Sequence, residues 1–181
     1  MVNVIKLCFC AMCATLTAIL AQIRMKIFLV PYTMQNFGVV FSGLLLGAKY
    51  GFLSQLVYLI LVAFGLPLAS GFRGGLGILL GPTSGYLLGF PVAAAFSGIV
   101  RKIWEKTSKN ILLLWIFVNL ASLPIYIFGC ITLYIYGAKM HLLLLAILPF
   151  LPQDFFMDHF FAVILYKHVK EILKQKGVLL D

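Results

Sequence analysis

Acidic side chains are nearly missing from this chain: five Asp and Glu stand against 14 Lys and Arg in 181 residues. Charge of either sign is scarce, at 10% of residues, where a soluble domain carries roughly a quarter. No long polar stretch interrupts the apolar runs, which excludes a soluble module inside the chain. Catalytic signatures are missing too. There is no His-Glu-x-x-His, no Gly-x-Ser-x-Gly and no P-loop, so ATP hydrolysis by the usual phosphate-binding loop is excluded. The glycines at 74–77 are not a dinucleotide fingerprint, because no strand-helix-strand unit surrounds them.

What is present is hydrophobic: 63% of residues, with a mean hydropathy of +1.09. That is the composition of an integral membrane protein. The net charge of +9 is then read as topology and not as a nucleic-acid footprint, since basic residues of polytopic proteins collect in cytoplasmic loops. Cys8, Cys10, Cys13 and Cys130 are the four cysteines. The Cys10-x-x-Cys13 spacing lies in a uniformly apolar run where thiolates are unfavourable, so these thiols are expected to pack as small hydrophobes. Neither a metal nor a cofactor is expected. The run to Ile23 is long enough to span a bilayer and is read as a first transmembrane helix, not a cleaved signal.

Apolar length predicts an all-α bundle of six spans forming one membrane domain over 1–181, at about 3–23, 33–48, 51–66, 82–101, 111–136 and 150–169. With both termini inside, ten basic residues fall on the cytoplasmic side: Lys6, Lys49, Arg101, Lys102, Lys106, Lys109, Lys167, Lys170, Lys174 and Lys176. Four fall outside: Arg24, Lys26, Arg73 and Lys139. The bias predicts N-in, C-in and a plasma-membrane location, with loop 67–81 facing outward as a lid. Gly43, Gly47 and Gly51, and again Gly85 and Gly89, recur every four residues and predict close helix approach. From Gly74 to Phe90 there is no charge, and a glycine-punctuated turn leads straight into a helix. Lipid cannot satisfy such irregular backbone, so it must line a cavity or lie at the surface.

Ionisable residues inside a span are functional candidates. Asp154 and Asp158 are four apart and share a helix face. Two bare carboxylates there repel, so one has a partner, reaches water or is protonated. Asp154, just after Pro152, also suits a helix start. Tyr32, Thr33, Gln35, Arg73, Thr83, Tyr86 and Asp154 fall toward the outer side by this topology, and Asn119 lies inside the fifth span. Each alone reads as an interhelical hydrogen bond. Together they predict a small polar cavity open to the outside.

These residues carry a family resemblance. Val30-Pro31-Tyr32-Thr33-Met34-Gln35 resembles the Pro-x-Thr-x-Gln element of the BioY family, the biotin-specific substrate-binding (S) components of energy-coupling factor (ECF) transporters. Gly43 to Gly51, Tyr58 to Pro67, Gly81-Pro82-Thr83-Ser84-Gly85-Tyr86 and Leu148-Pro149-Phe150-Leu151-Pro152-Gln153-Asp154 follow in the family's order, over about residues 10–165. The resemblance implies six membrane helices, capture of external biotin, no ATPase of its own, and partners: one transmembrane coupling protein and two ATPase subunits, though some members are thought to work without a dedicated module. It also implies a docking element of the form Ala-x-x-x-Ala on the first helix, which Ala14 and Ala18 fit. Biotin's ureido ring then suggests Asp154 as acceptor for N–H groups and Gln35 and Tyr86 as partners of the carbonyl. Phe72, Phe90 and Phe155 serve as walls, and Arg73 meets the valerate carboxylate. Gln153 and Met157 depart from the family's glycine and lysine, and Ser84 from its glycine. The departure at Met157 keeps a second ligand class in view, another small vitamin or precursor. An intramembrane enzyme built on Asp154, Asp158 and His159 is the third reading, without a nucleophile–base pair or metal triad to support it.

Overall fold

The computed structural model describes residues 4–26, 31–108, 110–148 and 150–178. Val30, Lys109 and Pro149, and the first residue of the first expected span, lie outside the described residues. Helix α1 (Val4–Leu20) is apolar throughout and leads into a two-stranded antiparallel hairpin, β1 (Arg24–Lys26) and β2 (Pro31–Thr33), with Arg24 opposite Thr33. The expected all-α pattern had no strands. The two strands pair because the short connection between spans must satisfy its own backbone groups.

Helix α2 (Gln35–Ala63) is two arms joined at Gly47, whose φ of 77° and ψ of 177° suit only glycine. The chain reverses there. Gly43 and Gly51 come so close that a Cβ on Gly51 would lie 2.8 Å from the Gly43 Cα. Gln55 then bridges the hairpin, donating to Ser42 Oγ at 3.1 Å and to Thr17 Oγ1 of α1 at 3.2 Å. The reversal strands carbonyls at the end of the first arm, and the buried Arg101 guanidinium donates to Leu44 O and Leu45 O, each at 3.3 Å. The expected second and third spans, 33–48 and 51–66, fall on these two arms.

After loop 67–81 with its short helix α3 (Leu76–Leu79) comes α4 (Ser84–Thr107). Gly85 and Gly89 let α4 pack directly on the next long element, since a Cβ at Gly89 would lie 2.7 Å from the Ile125 Cα. That element is α5 (Ile111–Ala121) followed by α6 (Leu123–Ile135), broken at Ser122 with Pro124 in the first turn of α6. Among the described residues three helical stretches, Gln35–Ala63, Ser84–Thr107 and Ile111–Ile135, have the length and apolarity to cross a membrane.

A further helix, α7 (Met140–Ile147), was not expected from the sequence. The chain then forms α8 (Phe150–Gln153), one π-turn (Asp154–Asp158) and α9 (His159–Gln175). The π-turn opens the backbone, and Trp115 Nε1 donates to the Phe155 carbonyl at 2.8 Å. Cys10 and Cys13 are free and buried, and Cys10 Sγ reaches Tyr50 O at 3.3 Å. They pack in a core cluster with Val40, Phe41 and Leu44, as the apolar surroundings suggested.

Candidate functional site

The first arm of α2, the lid loop, the start of α4, α6 and α8 close on one cavity. Its wall includes Thr33, Gln35, Arg73, Thr83, Tyr86 and Phe90. Five of the polar residues singled out in the sequence therefore meet at one level. Asn36, Ser70 and Tyr126 line the cavity as well and were missed. The volume is about 60 Å³, room for only a few water molecules. Loop 67–81 contributes Ala69, Ser70, Arg73 and Ile78 to the cavity wall.

Most of the wall residues are fixed by their neighbours. Thr33 Oγ1 donates to Gln35 Oε1 at 2.9 Å, Gln35 Nε2 donates to the Tyr58 hydroxyl at 2.7 Å, and that hydroxyl reaches Leu68 O at 3.3 Å. This chain of bonds ties α2 to the root of the lid. Tyr86 is buried and stacks on Phe150, with centroids 6.0 Å apart and its hydroxyl 3.5 Å from Ala146 O. Tyr32 also packs on Phe150, with centroids 5.5 Å apart. Burial, and then the Asp154 and Asp158 carboxyls, push the Tyr32 phenol up to about 12, so it stays a neutral O–H. Arg73 is held through Nε on Ser70 O at 3.0 Å, which leaves the outer face of its guanidinium available at the cavity.

Asp154 does not line this cavity directly. It sits behind it, 2% exposed, with Oδ2 accepting from Asn36 Nδ2 at 2.6 Å and from the Tyr126 hydroxyl. Asn36 and Tyr126 are cavity wall, so they link the carboxyl to the site. Its Oδ1 is buried without a hydrogen-bond partner. Asn119 is elsewhere. It accepts from His159 Nδ1 at 2.8 Å, donates to Trp115 O, and faces a second, largely apolar cavity of about 530 Å³ beyond Tyr126. The sequence placed Asn119 with the binding residues because a span position carries no azimuth; its side chain turns to the far side of Asp154.

The lid 67–81 has its own fastening, also missed. Gln22, just past α1, donates to Leu68 O at 3.4 Å and Ala69 O at 3.2 Å, and its Oε1 accepts from the Phe72 backbone N–H at 3.0 Å. Ala69 and Arg73 pair across the loop tip. Phe72, at a φ of 55°, points outward, and Phe155 stacks on Trp115 at 4.2 Å. Of the three expected aromatic walls only Phe90 lines the cavity. Ala14 and Ala18 are buried in the chain's own core, 3% and 7% exposed, so the expected docking element faces inward; Ala11 and Thr15 occupy the exposed side of α1.

A helical membrane protein whose polar side chains converge under one fastened loop, with an acid held just behind the wall, is built as a solute-capturing membrane component. The family model for the BioY family matches residues 1–175, and the chain belongs to that family. A probable biotin transporter BioY of Pyrococcus horikoshii is 40% identical over 145 residues, 80% of this chain and 83% of that one. A probable biotin transporter BioY of Bacillus subtilis is 40% identical over 108 residues, 60% of this chain and 53% of the relative. Among solved structures, the S-component for biotin from an ECF-type ABC transporter superposes with a TM-score of 0.84 at 28% identity, covering 94% of this chain and 95% of that one.

Proposed function

We propose that this chain takes up biotin, capturing it from outside as the S component of an ECF-type transporter, and that it is not an enzyme. The observation that carries this is the lidded cavity of Thr33, Gln35, Arg73, Thr83 and Tyr86, with Asp154 behind it, in a chain of the BioY family. Biotin presents two ureido N–H donors, one carbonyl acceptor and a carboxylate tail. A dry site must answer all of them. Asp154 supplies the acceptor, reached when Asn36 and Tyr126 part for the ring. Gln35 and Tyr86 serve the carbonyl. Phe90, Tyr86 and Phe150 flank the bicycle, and the Arg73 guanidinium takes the tail carboxylate.

The same proposal extends to topology and partners. The chain crosses the plasma membrane six times with both termini inside, as the distribution of Lys and Arg indicates. A transmembrane coupling protein and two ATPases complete the transporter. The face for the coupling protein is the exposed side of α1, where Ala11 and Thr15 repeat the small-x-x-x-small spacing one face away from the buried Ala14 and Ala18. Replacing Ala11 by Leu should abolish co-purification of the coupling protein without affecting biotin binding, whereas Ala14→Leu should lower thermal stability. Unimpaired co-purification with Ala11→Leu would remove that face.

The site is tested by two variants. Asp154→Asn weakens biotin about 100-fold, the loss of a charged acceptor from a buried contact. Arg73→Ala weakens biotin more than it weakens biotin amide, which lacks the carboxylate. Equal losses for the two ligands would exclude the ion pair.

A further inference from the structure

Arg24 is outside the cavity wall, yet two independent observations bring it to the wall's edge. In the β1–β2 hairpin it stands directly opposite Thr33. Residues directly opposite in an antiparallel pair project from the same face, and Thr33 is cavity wall. The second observation lies in the loop. At Gly71, whose φ is 77°, the place of a side chain is taken by the Arg24 guanidinium: a Cβ there would lie 2.7 Å from Arg24 Cζ and 3.0 Å from Nη2.

The same stretch holds a second guanidinium. Arg73 lines the cavity, and its Nε donates to Ser70 O at 3.0 Å. Ser70 O and the Gly71 Cα belong to one peptide unit. Two guanidiniums therefore sit against the Ser70–Gly71 peptide, one from β1 and one from the loop itself. Like charges gathered on one peptide are unfavourable unless an anion joins them. Among the described residues no acid does so. Glu105 answers Arg101 and Lys170, while Asp154 and Asp158 are buried and take Asn36 and Gln153 as donors. Bracing the loop needs no charge either, because Gln22, two residues earlier, already holds it with neutral hydrogen bonds.

Ser70 supplies a third donor. It is 6% exposed and lines the cavity, and its hydroxyl has no hydrogen-bond partner. A buried hydroxyl left bare is costly. One carboxylate answers all three groups: it offers about four lone-pair sites on two oxygens, and its planar shape matches the arginine fork.

We infer that Arg24 is a ligand-binding and specificity-determining residue, forming with Arg73 a two-guanidinium clamp across Ser70–Gly71 that receives the ligand's carboxylate, with the Ser70 hydroxyl as a third donor. The clamp rests on the biotin reading above for the identity of the ligand. It places the acid tail of that ligand at the loop and the β-hairpin, away from Asn36 and Tyr126.

Equilibrium binding of biotin and of biotin amide, which lacks the carboxylate, tests the clamp in the purified full-length protein. Arg24→Ala and Arg24→Gln are each expected to weaken biotin about tenfold or more and the amide by less than about threefold. Arg24→Lys keeps the charge and loses the fork, so it falls between wild type and Arg24→Ala for biotin. Arg24→Gln keeps most of the stem that lies on Gly71, so a folding loss confined to Arg24→Ala leaves the comparison intact. Ser70→Ala is expected to weaken biotin about threefold or more and to leave the amide unchanged. Equal losses for biotin and the amide in both Arg24 variants would make Arg24 a brace for the loop and overturn the clamp. A loss of less than about threefold for biotin would overturn it too. In either case biotin still binds, so the transport reading stands without the clamp. A folded wild type that binds neither ligand would remove the transport reading and the clamp together.

Discussion

The Gln22 latch allows a quantitative prediction about ligand release. One side chain makes three contacts with the lid: its amide NH2 reaches Leu68 O and Ala69 O, sharing its two hydrogens with Ala18 O of α1, and its oxygen accepts from the Phe72 N–H. Hydrogen bonds contribute about 0.5–1.5 kcal/mol each net of water, and these are partly exposed and partly long, so about 2 kcal/mol for the set is a fair sum. Gln22→Leu keeps the volume and removes all three. A change of about 2 kcal/mol is roughly 30-fold in the ratio of open to closed lid. Ligand under a shut lid leaves only through the open state, so its dissociation rate should rise by up to that factor. Entry is gated by the same motion, so the association rate rises too and the equilibrium constant shifts less than the off-rate. Rapid dilution of protein loaded with labelled biotin measures the first. Hydrogen exchange at the amides of 69–73 measures lid opening without ligand. An unchanged off-rate together with unchanged exchange would refute the latch. A changed Kd with an unchanged off-rate would show that Gln22 acts on something other than the gate.

Other contacts give expectations of the same kind. Gly47→Ala places a Cβ where only glycine is at ease and should destabilise the α2 hairpin by about 1–3 kcal/mol, seen as a lower melting temperature in detergent. An unchanged melting temperature would mean the reversal is not built as described. Tyr126→Phe removes one of the two donors on Asp154 while keeping the ring, and should weaken biotin about tenfold, a loss of about 1–2 kcal/mol read by equilibrium binding. Asn119→Ala, which touches His159 and the second cavity, should leave biotin affinity within about threefold. A larger loss would return Asn119 to the site.

Much of this was legible in the chain. The apolar lengths marked the long helices, and the Gly43, Gly47 and Gly51 series marked the hairpin, because only glycine permits both the reversal and the backbone contact. Gln35, Arg73, Thr83 and Tyr86 were found as polar residues at one depth. Depth, however, says nothing of azimuth. Asn36 and Asn119 are equally conspicuous in apolar helices, yet one faces the cavity and the other turns away to His159. Gln22 went unremarked because its partners are backbone groups of the loop, which carry no side-chain signature. The π-turn was invisible for a related reason: the Asp154–Asp158 spacing implies an ordinary α-helical face, and the wider turn shifts it. Ala14 and Ala18 matched a docking pattern in spacing but not in facing, since α1 buries that stripe against its own bundle.

The central claim is that the lidded cavity binds biotin. Equilibrium binding of radiolabelled biotin to the purified, detergent-solubilised protein tests it, with unlabelled biotin, desthiobiotin and thiamine as competitors. Saturable binding displaced by biotin and not by thiamine is the predicted result. A folded sample that binds no biotin, or from which thiamine displaces the label as well as biotin does, would contradict it.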